Sequence, residues 1–504
     1  MNLLASYDEL FGQCRPYFQQ QRTFDRARAL AFSSLITPGR HTISRLICSK
    51  NEQYQDWSAD YLFFSRAHWC ADDLFSTVLA QCAENSHWYQ NGILMAMDDT
   101  CIKKTGKKIP KVATLRDPMS LPYHTNLMKS LRFIQASAII NPLERMDMVR
   151  AVPILFNEAG PAAKPKKNAP EEAKEQYKKE QKAKRLSVQG HQAALKLRKQ
   201  VDGLPGGKGR LLFLAVDGSY CNGNFLRDLP ENIVVIARAR KDVNIFTPVI
   251  EKNAKGRRKK YGERLPTPET IRKDDNYTWE TAHIFGAGKF HELRYKSIAP
   301  VLWKKGTGSK PCRLLIIAPL HYRRNKTSKM LYRDPAYLLC LQPDVPVNVV
   351  LQYYFFRWDI EVNNRDEKTL LGVGDAQVRS PHSVESNPQF AVFAYSELLL
   401  AALKAYGVER TKDYLPLPKW RHEEIRRPST QDIIAQLRRE IMIEQLGTER
   451  QLSQRTLVNK KKHHQRPKSN IEARKRGFAI AGEQRTTHLK LPVHILAALL
   501  YSTN

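Results

Sequence analysis

The chain has 504 residues and carries 82 Lys and Arg against 50 Asp and Glu, a formal charge of +32 at pH 7. Its 42% hydrophobic and 9% aromatic content is enough to build more than one core, which excludes a basic, mostly disordered tail protein. No run approaches the ~20 apolar residues of a membrane span, MNLLASYDELFGQ lacks the layout of a secretory leader, and eight scattered cysteines contain no C-x-x-C pair. That cysteine usage argues against a disulfide framework or a structural zinc site and leads us to expect a soluble, cytoplasmic protein. A charge this positive points to a polyanionic partner, of which nucleic acid is the commonest in a cytoplasm. Between Arg450 and Lys490 stand 12 Lys or Arg against two acids, Glu472 and Glu483. Such density is what counterion release on a phosphate backbone rewards.

Residues 1–88 mix polar and apolar positions at helical spacing, with a break at Pro38-Gly39. They form either a small DNA-reading helical domain or a helical cap that only packs. From Gly92 the character changes. ILMAMDD is a short apolar run ending in two acids, and SLRFIQASAII and DMVRAVPILF are strands separated by a turn containing Asn-Pro. From Lys164 to Lys199, 12 basic and four acidic residues predict a charged, exposed helix. RLLFLAVDGSY then ends an apolar run at Asp217, and NIVVIARAR follows; two such buried strands imply a sheet covered on both faces. Residues 250–335, with TWETAHIF, KFHELRYKS and RLLIIA, read as an inserted β-rich segment. NVVLQYYFFRWDIEVNNRDEKTLLG, free of Gly and Pro until Gly372, predicts one long helix. Beyond Tyr406 the chain is polar and basic, with a helix TQDIIAQLRREIMIEQL and a final apolar LPVHILAALLY. The class is α/β.

Acids stand out at three places: Asp98 or Asp99 at the end of one strand, Asp217 at the end of a second, and Glu361 within the late helix. Singly, a strand-end Asp caps a turn and a helix Glu is solvated. Together, carboxylates converging from adjacent strands and a packed helix make an all-oxygen site suited to Mg²⁺ or Mn²⁺, and two such ions can clamp an in-line phosphoryl displacement. At 100° per residue, Tyr354, Arg357, Glu361 and Lys368 share a face about 60° wide. Their surround of Tyr353, Phe355, Phe356 and Trp358 is too apolar for an ordinary solvated salt-bridge face. The stripe suits phosphate: Glu361 ligates metal, Arg357 and Lys368 hold neighbouring phosphates, and Tyr354 donates a hydrogen bond to another.

Tyr354-x2-Arg357-x3-Glu361-x6-Lys368 resembles, without a spacing error, the Y-R-E-K signature of bacterial insertion-sequence transposases of the DDE superfamily, the group that includes insertion sequence families four and seven-hundred-one. Asp98-Asp99-Thr100 with the following Lys-Lys-x-Gly, Ala215 to Gly218, and the order Asp, Asp, β-rich insertion, Glu are similar as well. The resemblance covers about residues 90–400. It implies an RNase H-like mixed sheet with flanking helices, interrupted by a β-rich insertion, joined to an N-terminal helical domain and a basic C-terminal region. In boundaries this reads as 1–88 helical, 89–249 and 336–405 catalytic, 250–335 inserted and 406–504 basic, for DNA binding or dimerisation. The implied activity is cut-and-paste transposition with two Mg²⁺, replaceable by Mn²⁺, acting on double-stranded DNA at terminal inverted repeats and target sites. A homodimer in the synaptic complex and a nucleoid location go with it. The implied metal ligands are Asp99, the Asp directly before Thr, with Asp98 as the alternative, then Asp217 and Glu361. Tyr354, Arg357 and Lys368 are the DNA contacts. Trp358, directly after the signature Arg, occupies the place of a base-stacking residue or is a core aromatic; Trp279 and Trp303 are candidates for a second stacking ring. Two rival readings are a nuclease on the same fold that does not join ends, and a DNA-binding protein that has lost the chemistry.

Overall fold

The computed structural model describes residues 2–446, apart from short interior stretches at 67, 86–87, 89–91, 107, 118–119, 121–123, 125, 141–144, 250–258, 287, 323–326 and 421–424. The basic run from Arg450 and the final apolar LPVHILAALLY lie outside the described residues.

Five helices open the chain: α1 (Leu3–Gly12), α2 (Gln21–Ile36), α3 (Ile43–Ser49), α4 (Trp57–Ser65) and α5 (Ala71–Ala83). Their starts follow ordinary capping chemistry, in which a side-chain oxygen accepts an orphan N–H. Asn2 does so for Ala5 in α1, and Thr42 for Arg45 in α3. α2 buries Phe24, Ala27, Leu30, Ala31 and Leu35, one helical stripe, and ends before Pro38-Gly39, where Gly39 turns to φ +73°.

The next elements build one large sheet. They are β1 (Ile93–Lys103), β2 (Ala113–Arg116), β3 (Leu127–Ile140), β4 (Arg150–Glu158), α6 (Glu171–Ala183), α7 (Leu186–Asp202), β5 (Leu212–Val216), α8 (Gly223–Leu226) and β6 (Ile233–Arg238). β1 runs antiparallel to β3 and parallel to β5, which is parallel to β6, giving the order β4-β3-β1-β5-β6 with β2 also on β3. The expected single charged helix over 164–199 is two. α6 buries nothing. α7 buries Ala193, Ala194, Leu197 and Val201, because its apolar residues recur at helical spacing and its Gly190 lets the Tyr220 ring lie against the backbone.

The segment after β6 supplies α9 (Pro268–Lys273), β7 (Glu280–Gly286), β8 (Lys289–Leu302), β9 (Pro311–Ile317), the small pair β10 (His321–Tyr322) and β11 (Leu331–Tyr332), and β12 (Ala336–Cys340). Rather than forming a sheet of their own, β12, β9, β8 and β7 continue the order beyond β6, all antiparallel, into one ten-stranded mixed sheet. The chain closes with α10 (Val347–Phe356), α11 (Trp358–Thr369), α12 (Ser383–Tyr406) and α13 over 430–446. Among the described residues no helix is long and apolar enough to cross a membrane.

Both sheet faces are covered. On one, Met95, Met97, Leu214, Val216 and Val235 pack beneath α7, α12 and the N-terminal helices; on the other, Leu94, Ala96, Phe213, Val234 and Leu338 meet Val350, Leu351 and Phe356 of α10 and Ile360 of α11. α12 is buried along most of its length, packed between β4 and α1, α2 and α5, and ties the N-terminal helices to the sheet. This is an RNase H-like fold with N-terminal helices.

A second tie lies at the end of β1. The buried Lys104 ammonium donates to the carbonyls of Gly374 (2.7 Å) and Ala376 (2.8 Å), and the neighbouring Asp375 carboxylate accepts the His41 backbone N–H (2.9 Å). The turn after α11 is thereby stitched to the sheet on one side and to the α2–α3 connection on the other. Gly374 makes this approach possible, at φ +103° with the Ile102 Cγ2 filling the space that a Cβ would need. Gly374→Ala therefore combines left-handed strain with overpacking. We expect a loss of roughly 2–4 kcal/mol in stability, read as a lower denaturant midpoint with an unchanged m-value.

Candidate active site

β5 is apolar along its length because both faces of the sheet are covered, and it ends one residue before Asp217, whereas β1 is apolar over 93–97 and runs on past Asp98 and Asp99 to Lys103 through its pairing with β3, so the acids expected at its end lie within the strand. Their parallel register pairs Met97 with Val216, so the next residues on each strand, Asp98 and Asp217, stand side by side. Alternation along a strand settles which way the acids face. Asp98 follows Leu94 and Ala96 toward α10 and α11, whereas Asp99 follows Ile93, Met95 and Met97 toward the opposite side. Asp217, one step past β5, continues the parity of Phe213 on the α10 face.

Arg357 closes the group from above. Its Nη1 donates to Asp98 Oδ2 at 3.0 Å and its Nη2 to Glu361 Oε1 at 2.8 Å, so one guanidinium bridges the strand carboxylate and the helix carboxylate. Asp98 Oδ1 also accepts the Asp99 N–H (2.8 Å), and Asp217 Oδ1 accepts the Ser219 N–H (2.8 Å) and hydroxyl (2.5 Å). Burial, followed by the Asp217 charge, pushes the Asp98 carboxyl up to about 7 against the pull of Arg357. Asp99 is raised by burial too, but its main charged neighbour is Arg132, followed by Asp217, with Lys368 contributing less.

The long helix expected over 347–372 is two helices meeting at Arg357. There the Arg357 N–H donates to Tyr354 O (3.2 Å) and the Ile360 N–H to Arg357 O (3.1 Å), the tighter i→i+3 pattern. The physical cause lies in the anchors. α10 is held to the β7 edge, where the Gln352 amide makes both backbone bonds of Phe285 (2.9 Å each) and Gly286 leaves room for the Phe355 ring. α11 is held to the other end of the sheet, where Asn363 donates to Ser137 Oγ and Ala151 O (3.2 Å each) and Glu367 accepts from Gln135 (2.9 Å). A straight helix cannot follow both anchors across a twisted sheet. Tyr354 thus belongs to α10, with its ring 5.8 Å from the Arg357 guanidinium carbon, and Glu361 and Lys368 belong to α11.

Lys368 is exposed, with Asp98 and Asp99 within its field. Trp358 is 60% exposed, an open aromatic face at the start of α11 rather than a core ring. Neither second candidate resembles it. Trp279 lies against Arg294 and Lys296, and Trp303 is buried over Gly306. Two residues escaped the sequence reading. Tyr220 is fully buried, and its hydroxyl, without a partner among the described residues, lies in the field of Asp98, Asp99 and Asp217. Glu367, pushed up to about 8 by burial, fixes α11 through Gln135. The signal for Tyr220 was its place three residues past Asp217. Glu367 had none, since its partner is 232 residues away.

Among the described residues no three His, Cys, Asp or Glu side chains stand close enough together to hold a metal as they are placed, with the Arg357 guanidinium bridging two of the acids. The donor chemistry nevertheless fits a hard divalent cation. Asp98, Asp217 and Glu361 are all oxygen donors, and the buried Asp98 beside Asp217 has an excess of negative charge to neutralise. Asp98 within β1, Asp217 one step past the adjacent parallel β5 and Glu361 on the helix above make this the candidate active site of an RNase H-like sheet. Residues 15–310, more than half of the chain, match the family described as DDE superfamily endonuclease, and the chain belongs to that family. The match ends before α10 and α11, so the helix that carries Glu361 lies outside it. No curated protein matches the chain.

Proposed function

We propose that this endonuclease is a transposase of the insertion-sequence type that cuts its element's terminal repeats from double-stranded DNA and joins them to a target. The observation that supports this best is the single Arg357 bridge between Asp98 and Glu361, which brings the signature helix over the strand acids in a DDE-family sheet. In this reading Asp98, Asp217 and Glu361 hold a pair of Mg²⁺ or Mn²⁺ ions, with Asp98 taking the place the sequence pattern offered to Asp99. When bound, the ions supply stabilisation of charge on the attacking and leaving oxygens of the scissile phosphodiester.

The chain's own groups do the rest. Arg357 and Lys368 hold phosphates flanking the cleavage point, and Tyr354 keeps the guanidinium aimed between the acids. Trp358 offers its open face to a base, worth ~1–3 kcal/mol per stacked base. Two ends must be cut together, so the working form is a homodimer, with the N-terminal helices and residues 406–504 as end-binding surfaces.

The test places the element's two ends on a supercoiled plasmid with the purified protein and Mg²⁺ or Mn²⁺. Release of a discrete fragment, joined to a second plasmid, is the expected result. Cleavage without joining would leave a plain nuclease, and salt-sensitive binding without cleavage would leave a DNA-binding relic; either sinks the transposase reading.

A further inference from the structure

α11 is held to β3 at two points. The Glu367 carboxyl accepts from Gln135 Nε2 at 2.9 Å, and Asn363 Nδ2 donates to Ser137 Oγ at 3.2 Å. All four side chains are buried. The spacings match, since four residues of helix advance ~6 Å and two residues of strand ~6.6 Å. Two contacts one helical turn apart fix both the height of α11 along the strand and its rotation about its own axis.

This clamp is built beside the acids. β1 and β3 pair Asp98 directly with Gln135, so the two side chains are neighbours on one face of the sheet. On α11, Glu361 lies about a third of a turn round from Asn363 and Glu367, and it meets Asp98 through the Arg357 guanidinium. A slip of one residue would turn the helix by ~100° and carry Glu361 away from the strand acids. Stability alone does not account for the clamp, because apolar side chains of the same shape would fill the interface without burying a carboxyl group and two amides. What the hydrogen bonds add is direction. Gln135 Oε1 is buried without a donor among the described residues, and burial pushes the Glu367 carboxyl up to about 8, so at pH 7 it holds a proton to offer its partner.

Resting on the reading of the acids as a metal site, we propose that Gln135 and Glu367, with Ser137 and Asn363, are positioning residues: they set the rotation of α11 and so keep the Glu361 carboxylate facing Asp98. They touch neither substrate nor metal, and act through Glu361 alone.

The test titrates Mn²⁺ alone into the full-length protein, with bound metal read by electron paramagnetic resonance and folding by thermal melting of the same samples. In Gln135→Leu/Glu367→Leu both partners become apolar together, so melting should stay near wild type, while the Mn²⁺ Kd rises about 10–100-fold. Glu367→Gln keeps an uncharged head able to pair with the Gln135 amide, and should leave the Kd near wild type. Single-turnover cleavage should fall with the metal affinity of the double variant, whereas its affinity for end duplex, measured without divalent metal, should hold. An unchanged Mn²⁺ Kd in the folded double variant overturns the positioning role, as does a Glu367→Gln variant that binds as weakly as the double one. If wild type itself takes up no Mn²⁺, the metal reading of the acids falls instead.

Discussion

Asp98→Asn and Glu361→Gln each lose at least ~10³-fold in cleavage rate, roughly 4 kcal/mol of transition-state stabilisation, while Asp99→Asn loses about 10-fold or less. The contrast follows from strand parity. Asp98 faces Arg357 and stands beside Asp217, and Asp99 points to the other side of β1. An amide keeps shape and hydrogen bonding but cannot hold a divalent cation as a carboxylate does. Folding should survive in both acid variants. Asp98 is held up to about 7, so its ionised form is already disfavoured in the folded state, and Arg357 keeps one carboxylate partner in either variant. Single-turnover cleavage of end DNA, with duplex binding measured in Ca²⁺, separates chemistry from recognition. A dead Asp99→Asn beside an active Asp98→Asn would reverse the assignment of the first ligand.

Glu397→Met stabilises the protein increasingly as pH rises. Glu397 sits in the middle of α12, fully buried, and neither carboxyl oxygen is within hydrogen-bonding geometry of a donor among the described residues. Burial pushes it up to about 8 against the weaker pull of the nearby Gln81 side chain, with Tyr7, Cys14 and Cys82 of the surrounding helices near enough to feel its charge. The folded protein therefore keeps a proton that the unfolded chain releases near the ordinary value of 4.5. Between these two values folding takes up a proton, so this group's contribution is fully present below about 4.5 and is lost as pH climbs toward 8. Methionine fills the same space without a charge to bury. Calorimetry at pH 5, 7 and 8.5 should show the Tm gap between variant and wild type widening with pH. The widening is equivalent to a few kcal/mol, since each tenfold difference in proton affinity between the folded and unfolded chain is worth ~1.4 kcal/mol. Parallel Tm profiles would show that Glu397 does not carry this linkage. Asp98 and Glu367 move in the same direction, so the difference between the two proteins, and not the wild-type slope, isolates Glu397.

Much of the architecture was legible in the chain. The apolar runs ending at Asp98 and Asp217 identified β1 and β5, because a strand buried on both faces is written as continuous hydrophobicity, but the end of β1 was not legible: its pairing with β3 carries it past the acids to Lys103. The spacing of Tyr354, Arg357, Glu361 and Lys368 marked a polar stripe within an apolar surround, a local property of helical geometry. What residue order could not decide is whatever depends on a distant partner. Two consecutive aspartates point to opposite faces of a strand, and only the pairing of β1 with β5 and the placement of Arg357 show that Asp98 is the one facing Glu361. Period-two segments after residue 250 announce strands but not their neighbours; β12 pairing with β6 makes them an extension of the central sheet. The bend at Arg357 has no proline or glycine to announce it, since it comes from anchoring one helix to both ends of a twisted sheet. Sequence determined which residues stand out as candidates for the site and which elements bear them. Register, twist and long-range anchoring, set by contacts between residues far apart in the chain, decided which of those residues meet.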